Sequence, residues 1–325
     1  MIQTLNFPLS GECIRPYGTW DALGHEIRAL GLDGLEVIAD PFDPEPAFPT
    51  ELAAGYHLTF YPDWLDFFRG DEAKLLRKFG SPHMVERIYG GTRPEDLLRV
   101  FHEDLKRGRE LGAPYMVFHV SDVSMEENYT YRWRHTDREV IDASIELLNE
   151  LLRGVEPDFE LLVENQWWPG FTFTDPGQTE YLLSRVAFPR TGIMLDTGHL
   201  MNCNPAIRSQ ADGIDWILEM IRRHGSLSRS VRGLHFHQSV SGAYVRSHTG
   251  SLPAGWSGDY FQDFPACYTH IQRIDRHRPW TNPDCVRIID TIEPSFLTHE
   301  LAGSDGRTQL SALRRQLKTI QRGRI

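Results

Sequence analysis

Thiolate chemistry has little foothold in this sequence. Its 325 residues include four cysteines, Cys13, Cys203, Cys267 and Cys285, and no two stand in CxxC spacing. That excludes a zinc–thiolate site and argues against a disulfide framework. No window approaches the ~18 uninterrupted apolar residues that would span a membrane. The opening MIQTLNFPLSGE has neither a basic stretch nor a long apolar one, so it does not read as a secretory signal. Positive charge is in deficit: 34 Lys and Arg against 45 Asp and Glu give a net charge of −11. Nucleic-acid binders usually carry a basic face, so nucleic acid is disfavoured as a partner. The densest basic run, RRQLKTIQRGRI, reads as the solvated face and end of a last helix. No GxGxxG follows the first strand-like run, and there is no GxSxG elbow and no P-loop. These absences leave a reduced protein expected in the cytoplasm, with homo-oligomerisation left open.

What is present is an alternation. Apolar runs of strand length occur near Ile2–Phe7, Leu35–Ala39, Gly55–Tyr61, Pro114–Val120, Glu160–Asn165, Thr191–Asp196, Val231–His237 and Pro294–Glu300. Amphipathic stretches separate most of them. One is RPEDLLRVFHEDLKRGRELG, with proline at its start and glycine at its end, as a helix prefers. Buried parallel strands read as continuous apolar runs. Eight of them with intervening helices predict an α/β fold, a (β/α)8 TIM barrel formed by residues 1–325 as one domain. Two connections, 62–92 after the third strand and 239–270 after the seventh, are long insertions of a length usual for functional lids.

Polar residues gather at one end of the late strands. The fourth ends in His119, the fifth in Glu164 and the sixth in Asp196, with His199 beyond it. The seventh carries His235 and His237, and the eighth ends in Glu300 after His299. Barrel strands converge at their C-terminal ends, where active sites lie. Several carboxylates and imidazoles in one mouth suit a divalent cation, namely zinc, manganese or iron(II). The cation also offsets the cost of burying an aspartate at the end of IMLD. Asp275 and His277, in RIDRHRPW, have a D-x-H spacing that places both on one side of an extended segment.

The motifs ENQWWPG, LDTGHLMN, RGLHFHQ, DRHRPW and LTHEL, in that order, resemble the xylose-isomerase-like TIM barrel superfamily, which includes endonuclease IV and sugar isomerases and epimerases. The resemblance covers most of the chain. Its isomerase branch implies one metal on Glu164, Asp196, His235 and Glu300, with Glu164 and Glu300 moving a proton on and off carbon. The substrate would then be a carbohydrate-like small molecule, a sugar or sugar phosphate. Trp167 and Trp168 would stack on it, and His57, His237 and Glu36 would add polar contacts. The endonuclease branch implies up to three metals and recruits His119, His199, Asp275 and His277, with either His57 or His83 as a further early histidine. The leading expectation is a metal-dependent isomerase or epimerase. The alternatives are a metal-dependent phosphodiesterase and a non-catalytic binding barrel. The segment after the D-x-H, RPWTNPD, lacks the family's usual glycines, which leaves that loop's conformation open.

Overall fold

The structure, a computed structural model, describes residues 1–39, 48–303 and 306–324. Eight parallel strands close into a barrel in sequence order. They are β1 (Ile2–Leu9), β2 (Gly34–Ala39), β3 (Ala53–His57), β4 (Tyr115–His119), β5 (Glu160–Glu164), β6 (Thr191–Asp196), β7 (Val231–His235) and β8 (Phe296–His299). β8 pairs back onto β1, which removes both sheet edges. The expected (β/α)8 architecture is therefore present. One connection departs from it: between β2 and β3 the described residues hold only a 3-10 turn, Thr50–Leu52.

The two long connections are not loops. The first folds into the helices Leu65–Phe68, Glu72–Phe79 and Pro82–Tyr89 before the covering helix Pro94–Glu110. The second folds into Gly242–His248 and Tyr260–Ile274. Their caps are local. Asp71, Ser81 and Asp259 accept backbone N–H groups from Lys74, Met84 and Gln262, which satisfies donors a helix start leaves free. Gly80 and Gly90 close two of these helices in the left-handed region.

Strand register sets the height of the polar residues. His119 pairs with Glu164 across β4 and β5, and Asp196 pairs with His235 across β6 and β7. Beneath them lies a buried hydrogen-bonded layer. Glu36 Oε2 accepts from Tyr115 at 2.7 Å and from Thr298 at 2.9 Å, and Thr298 in turn accepts from Thr4 at 2.8 Å. Gly55 makes room for this layer, since a Cβ there would collide with the Tyr115 ring. Every member has a partner, so the layer is a rigid floor rather than a strained one.

Candidate metal centre

The three-residue spacing of Asp196 and His199 has a helical origin. Asp196 caps the helix Thr197–Asn202, and its Oδ1 accepts the His199 N–H at 2.6 Å. The cap turns the His199 ring back over the barrel mouth. Asn165 locks the same corner: its side-chain amide accepts from Asp196 N at 2.8 Å and donates to Asp196 O at 3.1 Å.

Donor atoms at the mouth fall into three groups, in each of which one atom per residue lies within 4.8 Å of the others. The first is His57, His119 and Glu164; the second is Glu164, Asp196, His235 and Glu300; the third is His199, His237, Asp275 and His277. Glu164 belongs to two of them and is fully buried. In the first group Nε2 of His57 lies 2.9 Å from Nε2 of His119 and 3.2 Å from Glu164 Oε2, and Nε2 of His119 lies 3.0 Å from that oxygen. In the second, Nδ1 of His235 lies 3.2 Å from Glu300 Oε2 and 3.4 Å from Glu164 Oε2. A tetrahedral ion with bonds of about 2.0–2.1 Å spaces its ligands about 3.3 Å apart.

Ring orientation fits a cation as well. Nδ1 of His57 lies 2.8 Å from the Leu58 carbonyl, which only accepts, so the neutral ring turns an Nε2 lone pair toward the group. Nε2 of His235 lies 2.9 Å from Glu36 Oε1, which leaves Nδ1 facing Glu164 and Glu300. Glu164 Oε1, His235 Nδ1 and Glu300 Oε2 are buried without a hydrogen-bond partner. Such atoms, converging without satisfying one another, are what a bound ion accounts for.

The electrostatics are those of a pocket short of positive charge. Burial pushes the Asp196 and Glu300 carboxyls above their ordinary range. Burial also opposes ionisation of Glu164, but His119 and His235 outweigh it and hold that carboxyl well below. Asp275 is held well below by His277 and His199 against the same burial. Burial lowers His119 to about 4 and His237 to about 3, so both rings are neutral, the form that ligates metals.

Several expectations need correction. His83 is exposed on the helix Pro82–Tyr89 and falls in none of the three donor groups; His57 is the early histidine whose ring nitrogen falls in one. His57 faces His119 and Glu164 rather than the open cleft. Glu36 is no lining residue either: it sits below His235 and holds it. Asp275 and His277 do not lie on an extended segment. Asp275 ends the helix Tyr260–Ile274, and His277 takes a positive φ of 43°, a turn that brings its Nε2 within 2.5 Å of Asp275 Oδ2. Trp167 and Trp168 line the cleft but are 7% and 4% exposed, so they form a wall more than a projecting shelf. His299 turns away from the mouth toward Gln316, 2.9 Å distant.

One feature of the mouth escaped sequence reasoning. The donor groups open into a cleft of about 1600 Å³ whose lining includes Arg208, Arg273, Arg276, Arg278 and Arg315. All five are exposed, and none makes a salt bridge to a carboxylate among the described residues. An acidic protein therefore presents a cationic rim above an anionic floor. The run RIDRHR held three of these arginines in plain view, but only the barrel brings Arg208 and Arg315 beside them.

The sequence model of the xylose isomerase-like TIM barrel family matches residues 24–281. No curated protein sequence matches the chain. Its fold is similar to that of endonuclease IV from Thermus thermophilus, with a TM-score of 0.54 and 17% identity over 99% of this chain and 100% of that one. It is similar to D-psicose 3-epimerase from Clostridium cellulolyticum, crystallised with D-tagatose, with a TM-score of 0.53 and 12% identity over 100% and 98% of the two chains. An L-ribulose 3-epimerase gives a TM-score of 0.55 and 12% identity over 99% and 94%. Among the described residues, no helix is long and apolar enough to cross a membrane.

Proposed function

The chain belongs to the xylose isomerase-like TIM barrel family, and from that premise we propose that it is a metal-dependent enzyme cleaving a phosphoester bond in a sugar-phosphate substrate. The observation that carries this reading is the sharing of Glu164 between two donor groups, with a third group beside them. Clustered divalent ions suit phosphoryl transfer, because charge grows on the attacking and leaving oxygens together. His57, His119 and Glu164 would hold one ion. Glu164, Asp196, His235 and Glu300 would hold a second, and His199, Asp275 and His277 a third. Zinc, manganese and iron(II) all suit this imidazole and carboxylate set. Bound ions supply Lewis-acid stabilisation of phosphoryl charge and an acidified water. The chain does the positioning. Leu58 and Glu36 hold the His57 and His235 rings in the ligating orientation. Arg273, Arg276 and Arg278, which line the cleft, would bind phosphate oxygens, since guanidinium forks match phosphate geometry. Phe60, stacked on Trp168 at a centroid distance of 6.0 Å, lines the cleft beside it.

A second reading uses the middle group alone. Glu164 and Glu300 both face Nδ1 of His235, so two carboxylates flank one position. In an isomerase or epimerase, one would take a carbon-bound proton and the other return it, and Trp167 and Trp168 would border a sugar. That chemistry leaves the first and third groups without a use, as does a binding-only barrel.

Substrate assays separate the two readings. Protein loaded with zinc or manganese is expected to cleave bis(p-nitrophenyl) phosphate and to leave ketohexoses unchanged at carbon 3. An abasic-site duplex assayed at low salt tests whether the sugar phosphate can lie within a nucleic acid. Epimerisation of a ketohexose without ester cleavage would overturn the first reading in favour of the second.

A further inference from the structure

We infer that the cleft holds a second anion subsite, built from Arg208 and Arg315 around the segment 278–282, and that the substrate carries two phosphate groups. One is the ester phosphate above the donor groups, and the other is a phosphate monoester on the same sugar unit. This rests on the phosphoester reading above and deepens it.

The arginines of the cleft fall into two sets by what holds them. Arg273 and Arg276 stay with the second insertion. The Arg273 guanidinium carbon lies 5.8 Å from the centre of the Tyr244 ring, and Arg276 Nη1 donates to the Val240 carbonyl at 3.1 Å. Arg208 and Arg315 come from distant parts of the chain, and hydrogen-bonded anchors draw them to one place. Gln210, two residues after Arg208, accepts the N–H groups of Thr281 and Asn282, both at 2.9 Å. Gln316, next to Arg315, accepts the Trp280 N–H at 2.8 Å. It is fully buried, and its amide also donates to the Phe236 carbonyl at 2.8 Å, which pins the last helix at this point. Arg278 exchanges both backbone bonds with Gln238, at 2.8 and 3.2 Å. Three glutamines from three elements thus fix RPWTNPD, the segment without glycine, and bring Arg208 and Arg315 to its two flanks. Thr281 Oγ1 accepts from Gln210 Nε2 at 2.9 Å, which leaves its hydroxyl proton to donate into the cleft it lines.

Both guanidiniums are exposed, and neither meets a carboxylate among the described residues. One guanidinium suffices for a carboxylate. A phosphate monoester carries close to two negative charges and has oxygens enough for two guanidinium forks. The size of the cleft agrees. Its volume of about 1600 Å³ exceeds the roughly 300–1,000 Å³ of a pocket for one drug-sized ligand, so it has room beyond a sugar monophosphate.

Thymidine 3′,5′-bisphosphate and thymidine 5′-monophosphate are probes that differ by one phosphate. Calorimetric titration of each into the metal-loaded protein is expected to show the bisphosphate binding about tenfold or more tightly, the usual worth of hydrogen bonds to a charged group. Arg208→Ala and Arg315→Ala should each narrow that gap, and the double variant should close it. Arg208→Lys and Arg315→Lys should keep part of it, since the charge stays and the fork is lost. Arg314→Ala removes the neighbouring guanidinium, which pairs with Glu26 at 2.9 Å, and should leave the gap as in the wild type. Equal binding of the two probes to wild-type protein, or none, would overturn the inference, as would a gap that survives in the double variant. The 5′-p-nitrophenyl esters of the same two probes report cleavage separately. A binding gap with no p-nitrophenol released from either ester would overturn the phosphoester reading and leave the anion subsite standing. Release from both esters with no binding gap would do the reverse.

Discussion

Glu164→Gln is expected to release two ions at once and to lower the turnover of phosphoester cleavage by about 10³-fold or more. The side chain is fully buried at the end of β5 and is shared by two of the donor groups. Its Oε2 faces His57 at 3.2 Å, His119 at 3.0 Å and His235 at 3.4 Å, and its Oε1 faces His199 at 3.1 Å. Glutamine keeps the volume but removes the charge and turns one acceptor into a donor. That donor would point at imidazole lone pairs. Loss of one preorganised charge-stabilising group already costs 10²- to 10³-fold in turnover, and here it comes with the loss of the ions it holds. Bound-metal analysis and steady-state kinetics on the same preparation check this. An unchanged metal content, or a raised KM with an unchanged kcat, would count against the shared-carboxylate centre.

Stripping the metal is expected to cost stability on a similar scale. An ion that binds only the folded chain stabilises it by about 2.7 kcal/mol when present at 100 times its Kd. Three ions under that condition contribute about 8 kcal/mol, a large part of a typical folding free energy. The cost should also depend on pH, with a definite sign. In the metal-free pocket, burial raises the Asp196 and Glu300 carboxyls. His199 and His235 are raised too, because neighbouring carboxylates outweigh the effect of burial. Groups raised in the folded state give stability that is lost as pH rises through their folded pKa. Metal affinity moves the other way, since ligands must shed protons to bind. Chelation should therefore destabilise the protein more at about pH 8 than at about pH 6. Urea unfolding with and without chelator, at both pH values, measures this. A chelator effect that is absent, or larger at the lower pH, would contradict it.

The barrel and most of its mouth were legible because strand alternation is a local property. An apolar run ending in Glu164 or Asp196 announces a buried strand with a polar tip, and parallel closure brings all such tips to one face. The parts that were not legible depend on packing. Choosing His57 over His83 required the pairing of His57 with Val117, two residues before His119 on β4. Glu36 and a substrate-facing carboxylate look alike in sequence, and only the floor of Tyr115 and Thr298 reveals that it supports His235. The D-x-H segment misled because a positive φ at His277 cannot be read from a residue type that seldom adopts it. The fit between Gly198 and His237 involves residues 39 positions apart in the chain and appears only as ring against backbone.

Anomalous diffraction from crystals of the zinc- or manganese-loaded protein, recorded on both sides of the metal absorption edge, tests the three-ion centre most directly. Three peaks are expected: one beside His57 and His119, one beside Asp196 and His235, and one beside His199 and Asp275, with Glu164 between the first two. A single peak among Glu164, Asp196, His235 and Glu300 at saturating metal would contradict that centre and leave the mouth with the one-ion chemistry of an isomerase.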